Sequence, residues 1–185
     1  MEIVAHGLWT AAAAVAAKRT RGIRLRTGWA VWWGVFPDVL AFGPMIGAGL
    51  ALRLVEGAGA AQSGQLVPRV RLGLPLYPTG HSVLVFLLVF GIACILARRV
   101  LFEMLGWLLH IMLDIPTHSY SYYSTRFLWP VSNFSIDGIP WWTPWLWVST
   151  YVALLVVYLL LWKKGWLSRG VSPQEKPVSA PVGRE

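Results

Sequence analysis

Six side chains in this sequence can do metal or acid–base chemistry where apolar residues would otherwise be expected: His6, Asp38, His81, His110, Asp114 and His118. The chain has only four histidines, and all four belong to this set. His110-Ile-Met-Leu-Asp114 is an i, i+4 pair, which on a helix projects an imidazole and a carboxylate from one face, a turn apart. Neutral imidazole with carboxylate suits Zn²⁺ or a similar divalent ion. A hydrogen bond that merely satisfies a buried His–Asp pair is the alternative for this spacing alone. The single cysteine, Cys94, lies in an apolar run and excludes an internal disulfide, an iron–sulfur centre and a thiolate zinc site. Ionisable groups at membrane depth are costly and mark function by default. With Asp38, His6 and His81 reaching the same side as His110 and Asp114, a metal site is expected, for zinc or a similar divalent ion.

The elements that must bring these residues together are apolar. Of 185 residues, 56% are hydrophobic and 13% charged, half the charged share of an ordinary soluble domain, so a soluble globular enzyme is excluded. Five apolar runs, at about 3–17, 28–52, 81–97, 100–115 and 144–162, predict an all-α polytopic membrane protein of about five helices with a metal pocket at one membrane face. Several runs are shorter than the roughly 20 residues of a full span, which fits a compact bundle with a wet pocket at one end. Proline at Phe36-Pro37-Asp38 is expected to kink or break the second helix and leave Asp38 at the break. Residues 57–79 and 116–143 read as long loops. A single helical domain over 1–167 is then followed by a polar, proline-spaced, disordered cytoplasmic tail over 168–185. Residues 3–17 have the character of a signal peptide, but Glu2 stands where a positive residue is usual. A retained first helix is therefore expected, with a cleaved signal as the alternative.

The formal charge of +8 could point to nucleic acid until it is located. Lys18, Arg19, Arg21, Arg24 and Arg26 form one cluster, Arg98 and Arg99 a second, Lys163 and Lys164 a third, and each bounds an apolar run. Placing all three in the cytoplasm puts the N-terminus outside and the C-terminus inside. His6, His81, His110 and His118 then share the outer face, where Trp129, Trp141, Trp142, Trp145 and Trp147 form an interfacial belt. Membrane lipids are the expected surroundings, and nucleic acid is not an expected partner.

The ordered set AHGLWT (His6), FPD (Asp38), GHS (His81), HIMLD (His110, Asp114) and THS (His118) resembles the YdjM-type inner-membrane proteins, predicted metal-dependent hydrolases also described as LexA-binding. The resemblance covers about residues 3–130. That family is in turn distantly similar to zinc-dependent phospholipase C and the P1-type nucleases, helical phosphodiesterases with a three-metal site. The resemblance implies that Asp38, His81, His110 and Asp114 hold one metal, with Asp114 bridging to a second held by His6. His118 corresponds loosely to the first ligand of a third, but no later HxxxE follows, so one or two ions are implied.

The expected activity is hydrolysis of an ester, foremost a phosphoester of a lipid or lipid-linked substrate. Asp38 either binds the ion or orients the attacking water, and His118 and Arg126 face the leaving group or the phosphate. Arg126, in the outer loop with Tyr120, Tyr122 and Tyr123, could clamp a phosphate or pair with lipid headgroups. Glu103 is two turns from His110 and is expected to pair with Arg98 or Arg99. Asp137 is expected to be a turn residue. The rival reading is a non-catalytic membrane scaffold or metal-handling protein with a structural metal.

Overall fold

The computed structural model describes residues 1–56, 76–121 and 123–167. Most of the 57–79 loop, Tyr122 and the tail expected over 168–185 lie outside the described residues. All regular structure among the described residues is helical: α1 (Ile3–Arg21), α2 (Thr27–Glu56), α3 (Val83–Ala97), α4 (Leu105–Thr117) and α5 (Pro144–Lys163). A short helical turn covers 76–80, and a 3-10 turn, Phe102–Met104, leads into α4. Two helical stretches, Thr27–Ala51 and Pro144–Lys163, are long and apolar enough to cross a membrane, and α3 is a shorter apolar helix. At 13 residues α4 spans about 20 Å, less than a bilayer core.

Local chemistry sets the helix ends. Glu2 caps α1 by accepting from Val4 N and Ala5 N, at 3.0 and 3.2 Å. Lys18, Arg19 and Arg21 occupy the last turn, where the helix dipole favours cations, and Gly22 closes it at φ 62°. Ser82 caps α3 through Val85 N. Pro144 sits in the first turn of α5, where its missing N–H costs nothing.

The break expected at Phe36-Pro37-Asp38 does not occur, because α2 continues through Pro37 and Pro44. Packing on both sides of Pro37 accounts for the continuity. Trp33 stacks on Trp107 at 5.9 Å, and Phe36 meets both tryptophans edge-on at 5.1 Å. These rings join Phe86, Met104 and Ile111 in the core between α2, α3 and α4.

α2 lies between α1 and α4, and α5 packs against α1. Close approach of α4 to α2 depends on Gly106, where a Cβ would collide with the Ala30 carbonyl and stand 2.9 Å from Gly34 N. Glu103 does not pair with Arg98 or Arg99. It is buried at the start of α4 and accepts from Arg26 N at 3.1 Å, fastening the α1–α2 connection. The long 116–143 segment is tied to α4 rather than loose. Gly138 N donates to His118 O (2.8 Å), Ile139 N to Pro116 O (2.9 Å), and Tyr120 N to the Asp137 carboxylate (2.8 Å). Asp137 is thus a tie between two stretches of the segment as well as the residue before Gly138.

Candidate metal centre

Asp114, fully buried on α4, is the hub of the cluster, and its two oxygens face different partners. Around Oδ2 lie His81 Nε2 and His110 Nε2, each at 3.2 Å, and those two nitrogens are 3.1 Å apart. Asp38 Oδ1 completes the group at 3.7 Å from His81 Nε2 and 3.8 Å from His110 Nε2. One ligand atom from each of Asp38, His81, His110 and Asp114 falls within 4.8 Å of the others, so these four residues can hold a metal ion.

Around Oδ1 lie His6 Nε2 at 2.9 Å and His118 Nδ1 at 3.3 Å. The Met1 amino group also donates to Oδ1, and to Thr117 Oγ1 at 2.9 Å. The His6 ring stacks on His110 with centroids 3.6 Å apart.

Backbone carbonyls settle which ring nitrogens face the cluster. His110 Nδ1 is 2.7 Å from Gly34 O and His81 Nδ1 is 2.9 Å from Tyr77 O. A carbonyl only accepts, so its partner assigns the hydrogen to Nδ1 in both rings, and each imidazole in its neutral form turns an Nε2 lone pair inward. In that form two lone pairs and two carboxylate oxygens converge without a donor among them. Asp114 Oδ2 has no hydrogen-bond partner, although it is completely buried. Buried acceptors left this way are costly unless a cation compensates them. Around a tetrahedral ion at about 2.0–2.1 Å, ligand atoms stand about 3.3–3.4 Å apart, close to the spacings of this group. The donor set fits a divalent metal.

Each arm of the centre has a local cause. Gly106 lets α4 touch the α2 backbone, and one turn later His110 reaches the Gly34 carbonyl. The helical turn at 76–80 presents Tyr77 O to His81 four residues on, while Trp107 Nε1 holds Gly80 O at 2.6 Å. Tyr77 also stacks on His81 at 3.9 Å, its hydroxyl donating to Tyr123 O at 2.8 Å. His118 ends α4 with Nδ1 3.2 Å from Asp114 O.

Sequence reasoning named the side chains of this cluster and missed Gly34, Gly106 and Tyr77, which act through carbonyls and contact. No local signal marks them, because every residue carries a carbonyl and only the fold selects these. Arg126 is not brought into the cluster. It is exposed and lines a separate cavity with Tyr77, Tyr120 and Tyr123.

Fold and site together define an all-helical protein with two membrane-length helices and a buried His/Asp cluster able to hold a metal ion. No family model, no curated protein and no solved structure matches the chain.

Proposed function

We propose that this chain is a multi-pass protein of the bacterial inner membrane and a metal-dependent hydrolase of the YdjM type, acting on a phosphoester of a lipid or lipid-linked substrate. The membrane reading is supported by the apolar residues turned outward, among them Ile95, Leu96, Leu88, Leu155 and Trp162, which are more than half exposed. Outer placement of the N-terminus and cytoplasmic placement of the C-terminus follow from the three basic clusters.

One observation carries the catalytic reading. His81, His110 and Asp114 form a tight set at 3.1–3.2 Å, whereas Asp38 stands off at 3.7–3.8 Å with its side chain 12% exposed. Three close donors and a fourth, looser carboxylate at the accessible edge suit a catalytic site with one position left for water. A divalent ion held there, zinc foremost, supplies Lewis acidity and water of lowered pKa. Asp38 would take a proton from that water at its carboxylate and aim the oxygen. His118, whose Nδ1 is 3.2 Å from the Asp114 carbonyl, would enter as the imidazolium and give its Nε2 proton to the leaving oxygen. His6 with Asp114 Oδ1 is the pair that would hold a second ion.

A structural metal is the second reading, favoured by the complete burial of His81, His110 and Asp114. Hydrolysis of lipid and soluble phosphoesters by purified, metal-analysed protein separates the two. Asp38→Asn is expected to keep at least half the wild-type metal and to lose about 10²–10⁴-fold in rate. Metal-loaded protein that cleaves nothing, or an Asp38→Asn variant as active as wild type, favours the structural reading.

A further inference from the structure

A polar cavity lies beside the metal centre rather than in it. Its volume is about 470 Å³, and Tyr77, Tyr120, Tyr123, Ser121, Ser124 and Arg126 line it. That is within the roughly 300–1,000 Å³ range of small-molecule sites and larger than a bare phosphate needs. Tyr77 belongs to both places: it lines the cavity, and its ring stacks on the metal-site histidine His81 at 3.9 Å.

The charge in the cavity has one sign. Among the described residues, Arg126 makes no ion pair with any acid and is the only charged side chain in the lining. A guanidinium offers a planar fork of donors that matches phosphate oxygens. Tyrosines supply rigid apolar walls with polar edges, and the two serines supply hydroxyls that both donate and accept. Part of that wall is fixed in advance. Ser135 Oγ donates to Ser124 Oγ at 3.2 Å, and the Tyr120 hydroxyl is anchored on Ser135 O at 2.9 Å. Tyr123 is held at φ 47°, a left-handed conformation uncommon for a bulky residue, with its carbonyl bound to the Tyr77 hydroxyl.

We propose that this cavity binds a phosphorylated, hydroxyl-bearing headgroup, with the phosphate on the Arg126 guanidinium and the headgroup body in the compartment walled by Tyr77, Tyr120 and Tyr123. The proposal rests on the functional reading above for its place at the bilayer surface, but binding needs neither the metal nor hydrolysis. The headgroup is that of a membrane phospholipid or of a free phosphate ester, and the two sources share the same recognition.

Calorimetric titration of the full chain in detergent tests this with four probes: inorganic phosphate, glycerol, glycerol 3-phosphate and short-chain phosphatidylglycerol. Wild type is expected to bind glycerol 3-phosphate or the short-chain lipid more tightly than inorganic phosphate, and not to bind glycerol. Arg126→Gln is expected to weaken that binding at least tenfold with metal content and thermal midpoint unchanged, and Arg126→Lys to weaken it less. Binding of the lipid alone assigns the membrane source, and binding of both phosphate-bearing probes admits the soluble one. Equal affinity in wild type and Arg126→Gln, or no binding of any phosphate probe, overturns the proposal. So does binding that survives Arg126→Gln but disappears in His110→Ala, which moves the phosphate to the metal centre. Wild-type metal content in His110→Ala, by contrast, overturns the metal reading and leaves an Arg126-dependent site standing.

Discussion

Gly106→Ala is the smallest change that tests how the helices build the centre. The new carbon would lie 2.9 Å from Gly34 N, where ordinary contact begins at 3.4 Å, and the Ala30 carbonyl is nearer still. Because both obstacles are backbone of α2, neither can rotate away. α4 must retreat from α2 by about 0.5 Å to clear Gly34 N and by about 1 Å to clear the Ala30 carbonyl. His110 rides on the next turn, so its 2.7 Å bond to Gly34 O lengthens past useful range. Overpacking a close contact costs about 1–3 kcal/mol and unpairing a buried donor about 1–3 kcal/mol more. Loss of an orienting partner of a ligating histidine typically lowers metal affinity about 10–100-fold. The assay is competition for zinc against a chromophoric chelator, with thermal unfolding of the same samples in detergent. Gly91→Ala, which meets nothing within 4 Å on α3, is the matched control and should be neutral or slightly stabilising. A folded Gly106→Ala protein with wild-type zinc affinity would falsify the argument that α2 backbone orients His110.

Two further outcomes follow from the same geometry. His110→Ala and Asp114→Ala should each lower bound metal severalfold by elemental analysis of purified protein, with Asp114→Ala the more damaging because both oxygens of Asp114 lie within 3.2 Å of cluster histidines; undiminished metal in both variants removes the centre. Reporter fusions within 123–140 should read as outside and fusions after Lys164 as cytoplasmic, and an inside signal from 123–140 would invert the site and remove the argument for an outer-leaflet substrate.

The sequence made the helices legible because apolar runs and helices share a cause. Each of the five runs corresponds to one of the five helices α1–α5 of the described residues, and the differences lie where backbone geometry outranks hydropathy. Residues 100–104 are apolar apart from Glu103, yet α4 starts only at Leu105, after a 3-10 turn whose buried Glu103 serves Arg26 N. That bond joins positions 77 apart in the chain, and no local pattern announces it. Pro37 misled for a related reason: the rule that proline breaks a helix holds for an isolated segment, whereas Trp33, Phe36 and Trp107 pack across this one.

The cluster was legible because its side chains are improbable where they stand. An imidazole or carboxylate in an apolar run is costly enough that its presence needs a partner, and four histidines with two aspartates left few ways to supply one. Its supports were not legible, since a carbonyl is carried by every residue and only the fold selects Gly34 O and Tyr77 O. Those two carbonyls decide the chemistry. Were either imidazole free to turn its Nδ1 hydrogen inward, it could donate to Asp114 Oδ2 and the group would be a self-satisfied hydrogen-bond network. With Nδ1 engaged on both rings, imidazoles in the neutral form have only lone pairs to offer at Nε2, and a metal ion among them would compensate Asp114 Oδ2. The same pair of spacings in the sequence, HxxxD and a distant histidine, would fit either outcome. What separates them is the register of α4 against α2, and that register is set by a residue without a side chain, Gly106.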